Sequence, residues 1–355
     1  MNLEDYGFMP TEFLTHDAIN EEIDYIPARV TAVYKERYEL ICKQGKIFGR
    51  LKTSVYYGGR TESFPTAGDF VMINYNANGD SQITRTLQRK SYFSRRHPDL
   101  GRGEQAVAAN FDYVFIMQSL NYDFNLKRLE RYITLSWQSG AIPVIILTKA
   151  DLVDDYSIQI LAVEKIAAGV GVYAISAING YGLDALAEYL KPRKTIVFLG
   201  SSGVGKSSLV NALAGEELMT VNGIREDDSR GRHTTTHRQL IMLKSGVMII
   251  DTPGMRELGM WDVSTGLGEA FVDVEQFFDQ CRFFDCKHST EPGCAVIAAI
   301  ESGELSIERW NSYKNLKSEA KFADDKAGYM RQKQQWHKDL SKRSKQIKKN
   351  GALKK

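Results

Sequence analysis

The 355-residue sequence contains no apolar run long enough to cross a membrane, which takes about 20 residues as a helix. Its apolar runs, such as residues 144–147 and 247–250, have the length of buried strands. Residues 1–5 are acidic and lack the cationic and then apolar pattern of a secretory signal. We therefore expect a cytoplasmic protein that has no membrane partner.

Cysteine is scarce, with four in the chain. Cys42 stands alone and is expected to be a small buried residue of a strand. Cys281, Cys286 and Cys294 lie with His288 within 14 residues, and clustered cysteines in a cytosolic chain indicate a metal site rather than disulfides. Three thiolates and one imidazole can form the closed tetrahedral shell of a structural zinc ion. We predict one zinc ion per chain, with free buried thiols as the alternative.

The sequence also lacks a marked excess of charge, since 46 Lys and Arg face 44 Asp and Glu. Composition alone therefore does not indicate nucleic-acid binding. The distribution is uneven, because residues 331–355 contain ten Lys or Arg and one acid, Asp339. Such a tail is either a solvated or disordered end or an arm for a polyanion such as RNA.

A chain of this length has room for two or three domains. Residues 1–26 show no clear period and are assigned to an N-terminal extension. Residues 27–94 contain short strands separated by turn signals, predicted at 28–33, 38–42, 46–50, 70–74 and 82–87. These strands predict a small closed barrel. It is either an OB-fold, which commonly binds oligonucleotides, or an SH3-like barrel with no role in nucleic-acid binding.

Residues 95–261 alternate apolar strands with helices, which predicts a mainly parallel sheet covered on both faces. The predicted strands are 113–117, 144–147, 172–175, 195–199, 240–243 and 247–250, and the predicted helices are 126–137, 158–168 and 183–190. Residues 262–355 are helical and polar around the Cys/His cluster. The predicted fold class is thus a multidomain α/β protein, with a barrel, a central nucleotide-binding domain and a zinc-binding helical domain that ends in the basic tail.

The central domain contains the phosphate-loop pattern G-x-x-x-x-G-K-[ST] between an apolar strand and a helix, which is the context the pattern requires. Glycines allow the tight turn that points backbone N–H groups at phosphates. We expect Lys206 to reach the β- and γ-phosphates and Ser207 to bind Mg²⁺. The predicted phosphate-binding residues are Gly200, Ser201, Ser202, Gly203, Val204, Gly205, Lys206, Ser207 and Ser208.

Two further segments fit the same chemistry. Asp251 follows a buried strand and is expected to hold the Mg²⁺ sphere, while the amide of Gly254 senses the γ-phosphate. Residues 231–236 lie between these motifs, and Thr235 can complete the Mg²⁺ shell as part of a switch segment. A polar turn is the alternative for residues 231–236.

A base-reading pattern follows the strand at 144–147. The carboxylate of Asp151 can accept from the N1–H and 2-amino groups of guanine, which adenine does not offer, and Lys149 can lie along the base. A backbone N–H after the next strand can bind the guanine O6. The predicted guanine-binding residues are Thr148, Lys149, Ala150, Asp151, Ser176 and Ala177. This motif precedes the phosphate loop, so the parts of a GTPase are complete but cyclically rotated.

Together the barrel, the rotated motifs and the Cys/His cluster resemble the circularly permuted GTPases of small-ribosomal-subunit biogenesis, the RsgA or YjeQ family. The resemblance covers nearly the whole chain from about residue 27. It implies a GTPase that binds GTP and GDP with Mg²⁺, contains one zinc ion, and binds the small (30S) ribosomal subunit and its rRNA. It further implies that the protein assists late maturation of that subunit and hydrolyses GTP slowly alone and faster when the subunit stimulates it. We expect a monomer.

Thr148 departs from the family pattern, in which Asn often begins the guanine motif. Threonine lacks the carboxamide that would bind guanine N7 and brace the phosphate loop, so we expect weaker nucleotide affinity. Met255 follows Gly254 where Ras-like enzymes place a water-orienting Gln, which predicts a low intrinsic rate.

We assign catalysis to His233, Lys206 and Thr235, with His233 as the group that orients or deprotonates water. The alternative for His233 is a solvent-facing loop residue. Two other functions remain open: a P-loop ATPase, and an RNA-binding module with a vestigial nucleotide fold. Asp151 argues against the ATPase, and intact Lys206 and Asp251 argue against the vestigial fold.

Overall fold

The computed structural model describes residues 2–13, 25–35, 37–56, 64–96, 104–121, 123–219, 238–251 and 264–324. The chain divides into two compact units, Met1–Gly259 and Met260–Lys355. The first contains a barrel and an open sheet, and the second is helical.

Five strands form the closed barrel that the short strands and turn signals predict. They are Tyr25–Val33 (β1), Tyr38–Cys42 (β2), Gly45–Leu51 (β3), Phe70–Asn74 (β4) and Ser81–Thr86 (β5). The strands pair in the order β1-β2-β3-β5-β4, and β4 pairs back onto β1. Alternate residues such as Ala28, Val30 and Leu40 fill the interior, and each predicted strand of this region overlaps an observed one. Cys42 is buried at the end of β2, as expected.

The open sheet is mainly parallel. Its strands are Tyr113–Ser119 (β8), Ile142–Thr148 (β9), Gly171–Ala174 (β10), Thr195–Gly200 (β11), Arg238–Met242 (β12) and Met248–Asp251 (β13). The parallel order is β10-β9-β8-β11-β13, and β12 adds antiparallel to β13. Helices at Leu126–Gln138, Ser157–Ile166 and Lys206–Ala214 connect these strands, close to the predicted positions. Strands β8, β9, β11 and β13 are buried almost throughout, which explains their continuous apolar runs, whereas β10 and β12 are mostly half-buried.

The helix predicted at residues 183–190 is wrong. Only Leu183–Leu186 forms a turn of 3-10 helix, and turns follow it. The segment starts after Gly182, whose φ of 72° lies in the left-handed region, and ends before Pro192. This proline disfavours helical backbone at Lys191, the residue before it.

Sequence reasoning missed several short elements of the first unit. Tyr92–Arg96 (β6) and Glu104–Ala109 (β7) form a separate two-stranded sheet. In the N-terminal extension, Leu3–Tyr6 forms a 3-10 helix that Asn2 and Asp5 cap reciprocally. Short helices at Pro10–Phe13 and Thr53–Tyr56 and a 3-10 turn at Ala150–Leu152 also belong to the described part of this unit.

A buried arginine ties the extension, the barrel and the open sheet together. Arg29 is 1% exposed, and its guanidinium is surrounded by acceptors from all three parts. It donates to the carbonyl oxygens of Tyr6 (2.5 Å), Gly68 (3.2 Å) and Asn110 (2.9 Å) and to Thr195 Oγ1 (3.0 Å). Burial lowers the pKa of Arg29 to about 10, so the group remains charged at neutral pH.

The barrel and the open sheet are joined by backbone hydrogen bonds. Ala32 and Val33 at the end of β1 pair antiparallel with Gln239 and Arg238 at the start of β12. A bulge between Val30 and Ala32 accompanies this change of partner and re-aims the strand. The result is one continuous sheet of eleven strands.

The second unit is built from helices at Ser264–Ala270, Val272–Glu275, Ala295–Ser302 and Ile307–Asp324, with a 3-10 turn at Phe278–Gln280. Phe271, Val274 and Val296 are fully buried in it. Arg309 is bound by Asp273 at 2.8 and 2.9 Å and lies over the Phe271 ring at 3.9 Å. Of the helices described in either unit, none combines the length and apolar character that a membrane span requires.

Candidate nucleotide site and candidate metal centre

The predicted nucleotide-binding motifs meet at one edge of the parallel sheet. Thr148 ends β9, Gly200 ends β11 and Asp251 ends β13, while Ser176 follows β10. Because neighbouring strands run parallel, their carboxyl ends lie together. This is the edge at which open α/β sheets bind ligands.

The phosphate-loop sequence forms the turn between β11 and the helix Lys206–Ala214. Gly203 and Gly205 have φ values of 74° and 103°, in the left-handed region that glycine adopts without strain. Gly205 is the N-cap of the helix and offers no side chain to its first turn. The backbone N–H groups of that turn therefore form a site for an anion.

Lys206 and Asp251 contact each other across the site. The Lys206 Nζ lies against the Asp251 Oδ1. The Asp251 side chain is 5% exposed and that of Lys206 is 32% exposed. A buried carboxylate requires a partner, and Lys206 provides it.

Thr148 contacts the phosphate loop through its hydroxyl group, a contact that sequence reasoning did not anticipate. Its side chain is buried, and its Oγ1 donates to the Val204 carbonyl oxygen at 2.6 Å. An added Cβ at Gly205 would lie 4.0 Å from the Thr148 side chain. A hydroxyl thus reaches the loop directly, and the sequence did not reveal this because it gives no distance between the two segments.

The two base-reading segments are linked to each other. The Ala150 N–H donates to the Ile175 carbonyl oxygen at 3.1 Å, and the hydroxyls of Tyr156 and Tyr181 are 2.8 Å apart. Lys149 has a left-handed φ of 62°, a conformation that costs energy and clusters at functional sites. The backbone after β10 folds tightly around the buried Ser176, whose Oγ accepts from the Ile178 N–H at 3.3 Å. Asp151 is exposed and open to a ligand.

The remaining predicted residues differ in their exposure. Ser202 is exposed, and Ser207 and Ser208 lie half-buried in the first turn of the helix after the loop. His233, Thr235 and Gly254 lie outside the described residues, as does Met255.

Sequence reasoning missed Asp123. Its Oδ2 accepts from the Ser201 hydroxyl of the phosphate loop. An acidic residue shortly after the buried strand β8 and before a helix was the available signal, since polar groups at this edge of a parallel sheet face the ligand site.

The four residues of the Cys/His cluster come together in the second unit. Their ligand atoms all lie within 4.8 Å of one another. The His288 Nδ1 is 3.4 Å from the Cys281 Sγ and 3.5 Å from the Cys294 Sγ, and those two sulfurs are 4.0 Å apart. Such a cluster could hold a metal ion.

The surroundings orient His288 for this role. Its ring stacks on Phe278 with centroids 4.6 Å apart and meets the edge of Trp310 at 5.9 Å. Burial lowers the pKa of His288, which favours the neutral imidazole that binds metals. Backbone N–H groups, first those of Ser289 and Thr290, hold the pKa of Glu291 at about 2 and close the loop around His288.

Comparisons with known proteins agree with this site. The sequence pattern of the RsgA GTPase family matches residues 86–261. The chain is 48% identical over 319 residues to "Small ribosomal subunit biogenesis GTPase RsgA 1" of Listeria monocytogenes serovar 1/2a, covering 90% of this chain and 89% of that protein.

Solved structures give the same result. The chain resembles YjeQ from Thermotoga maritima with a TM-score of 0.63 and 25% identity, over 83% of this chain and 98% of that one. It shares its fold with YloQ, described as a circularly permuted GTPase, with a TM-score of 0.57 and 24% identity, over 85% and 97% of the two chains. The rotated motifs lie at one sheet edge, and the Listeria monocytogenes relative matches this chain over nearly its whole length. This chain therefore belongs to the RsgA GTPase family.

Proposed function

We propose that this protein hydrolyses GTP to GDP and phosphate and that it assists the late maturation of the small ribosomal subunit. The observation that carries the proposal is the meeting of a guanine-reading motif and a phosphate loop at one sheet edge, joined through the Thr148–Val204 hydrogen bond. A relative at 48% identity is named a small-ribosomal-subunit biogenesis GTPase. This name supports the small ribosomal subunit as the partner. We also propose a cytoplasmic location, which a ribosomal partner would require.

The protein would bind both the base and the phosphates of the nucleotide. Asp151 would accept from guanine N1–H and the 2-amino group, Lys149 would lie along the base, and the backbone after Ser176 would bind O6. Gly200–Lys206 backbone amides and the Lys206 ammonium would neutralise charge that develops on the phosphates during attack by water. Ser207, Thr235 and Asp251 would hold Mg²⁺ with GTP, and the ion would neutralise the β- and γ-phosphates.

Hydrolysis measured with and without small ribosomal subunits tests the proposal. We expect slow GTP turnover by the protein alone, because Met255 cannot orient water, and faster turnover when subunits are added. ATP should be hydrolysed poorly in both cases, since adenine offers Asp151 no matching donors. Equal turnover of ATP and GTP would select an ATPase, and no turnover even with subunits would select a vestigial nucleotide fold.

The same assay tests His233, which we propose as the group that orients or deprotonates the attacking water. His233→Ala should reduce subunit-stimulated turnover about 10²-fold or more and leave GTP affinity near that of the wild type. A variant with undiminished stimulated turnover would remove His233 from catalysis while leaving the GTPase assignment intact.

Thr148 should contribute to nucleotide affinity through the phosphate loop. Thr148→Val keeps the shape of the side chain but leaves the Val204 carbonyl without its donor. We expect the affinity for GDP to fall about tenfold, since an unsatisfied buried polar group costs about 1–3 kcal/mol. Thr148→Ser keeps the hydroxyl and is the matched control. Equal affinities for the two variants, measured by titration with a fluorescent GDP, would contradict the bracing role.

Zinc is the metal that fits the Cys/His cluster. With Zn–S bonds of about 2.3 Å and Zn–N bonds of about 2.0 Å, a tetrahedral site separates its sulfurs by about 3.8 Å and a sulfur from a nitrogen by about 3.5 Å. The observed 4.0, 3.4 and 3.5 Å are close to these values. We therefore propose that Cys281, Cys286, His288 and Cys294 hold one structural zinc ion.

We propose that the barrel is an OB-fold that contacts rRNA. Such barrels bind oligonucleotides on the face of strands 2 and 3. Here the side chains of Lys46 and Arg50 on β3 are 64% and 61% exposed, and the Arg37 guanidinium lies 3.8 Å from the centre of the Phe48 ring. Residues 331–355, which are rich in Lys and Arg, lie outside the described residues. We propose this segment as a second RNA contact. We also propose that the protein is a monomer.

A further inference from the structure

A side chain from outside the nucleotide-binding motifs is bound to the phosphate loop. The Ser201 hydroxyl donates to the Asp123 Oδ2. Ser201 follows Gly200, which pairs with Met117 of β8, and Asp123 lies in the loop after that strand. Both residues therefore lie at the sheet edge that carries the nucleotide motifs.

Asp123 is itself firmly placed. The Arg128 Nη2 lies 2.9 Å from the same Oδ2 and also donates to the Asp123 carbonyl oxygen. The side-chain amide of Gln118, a buried residue of β8, donates to that carbonyl oxygen at 3.3 Å. Asn125 caps the following helix by accepting from the Arg128 N–H at 3.0 Å. The strand end thus fixes the backbone of Asp123, and the helix start fixes both its backbone and its carboxylate.

This placement matters because the loop must present its N–H groups before the phosphates arrive. Donors that are already oriented need no reorganisation at the moment of reaction. Between Ser201 and Val204 the loop contains Gly203 in the left-handed region. Glycine loses more conformational freedom than any other residue when its backbone becomes ordered. Thr148 holds the Val204 end of this segment, and Asp123 holds the Ser201 end.

A carboxylate beside a phosphate loop also has a cost, because it repels the anionic ligand. Arg128 offsets that repulsion by pairing with Asp123. The Asp123 and Arg128 side chains are 42% and 25% exposed, so solvent and salt screen part of the interaction. The pair can then act as a neutral acceptor that orients Ser201.

We propose that Asp123 is a positioning residue, which holds the phosphate loop in its nucleotide-receiving form through Ser201 while Arg128 cancels its charge. The proposal rests on the proposed GTPase function and adds residues that lie outside the nucleotide motifs.

A double-mutant cycle tests the orienting contact in the full-length protein. GDP affinity should fall roughly tenfold in Asp123→Ala and by a similar factor in Ser201→Ala, since each removes one charge-assisted hydrogen bond. The double variant should show little further loss, because both substitutions break the same interaction. Asp123→Asn keeps an acceptor and should retain most of the affinity, and it remains informative if Asp123→Ala folds poorly.

The charge effect needs a second comparison. Arg128→Gln should lower the ratio of GTP to GDP affinity roughly threefold, because the uncompensated carboxylate repels the more highly charged ligand more strongly. The Asp123→Asn/Arg128→Gln variant should restore the ratio. Lys127→Gln removes the same charge from an exposed neighbour and should leave the ratio unchanged.

Strictly additive losses in the Asp123/Ser201 cycle would overturn the positioning role. If Arg128→Gln keeps the wild-type ratio of GTP to GDP affinity, the role of the ion pair is overturned. Both outcomes presume that the wild type binds guanine nucleotides. Failure of the wild type to bind GDP or GTP would instead refute the proposed function.

Discussion

Lys206→Ala is expected to lower both GTP affinity and GTP turnover, with turnover falling about 10²-fold or more, because it removes the cation that faces the developing phosphate charge. The ammonium group already contacts Asp251, so it sits beside the group proposed to hold Mg²⁺. When nucleotide binds, the phosphates would become the partner of Lys206, and Mg²⁺ would become the partner of Asp251. Titration with fluorescent GTP and single-turnover hydrolysis would measure the two effects.

The control for this variant must separate binding from folding. Lys206→Ala also leaves the buried Asp251 carboxylate without its partner, and breaking a buried pair is destabilising. Thermal unfolding without nucleotide would detect that effect, and Lys206→Ala/Asp251→Asn should recover stability but not hydrolysis. Lys244→Ala removes a lysine from an exposed pair with Glu216 at 3.0 Å and should change neither. Wild-type GTP affinity and turnover in Lys206→Ala would contradict the assigned phosphate site.

Cys294→Ala is expected to abolish stable zinc binding and to loosen the second unit around the cluster. Cys294 is buried and is the N-cap of the helix Ala295–Ser302, so the metal would fix the start of that helix. Structural zinc contributes about 10–16 kcal/mol of apparent binding free energy at pH 7 in small zinc domains, and that energy stabilises the fold directly. Zinc content per chain and hydrogen exchange of amides 295–302 would report the two losses.

Cys42→Ala is the matched control, since Cys42 is also buried but lies in β2 of the barrel. It should keep one zinc ion per chain and normal protection of amides 295–302. Full zinc content in Cys294→Ala would remove this thiolate from the ligand set. Zinc lost equally from both variants would indicate a general folding defect rather than loss of a ligand.

The elements that could be predicted are those whose signal is local. The strand Tyr38–Cys42 is bounded by its own turn residues, and β11 leads into a phosphate loop whose spacing is specific in itself. The Cys/His cluster spans so few residues that the spacing alone brings its ligands together. In each case the residues that determine the structure are neighbours in the sequence.

The features that could not be predicted depend on residues far apart in the chain. Thr148 meets Val204 across 56 residues, and Asp123 meets Ser201 across 78. Whether a hydroxyl or a carboxylate reaches the loop depends on sheet order, which no local pattern contains. The burial of Arg29 is of the same kind, since its acceptors come from three separate parts of the chain. An isolated arginine in a strand is otherwise expected to face solvent.

The pairing of β1 with β12 has a consequence for how the protein is made. A ribosome that synthesises this chain releases β1 about 200 residues before its partner β12, a sequence separation that slows folding. The barrel can close on its own strands in the meantime, since β4 pairs with residues 25–29 of β1, but Ala32 and Val33 at the end of β1 lack their partners until residues 238–242 emerge. Over the same interval β11 lacks β13. A nascent chain that stalled in residues 200–237 would therefore expose two open strand edges, and such edges are sites of aggregation.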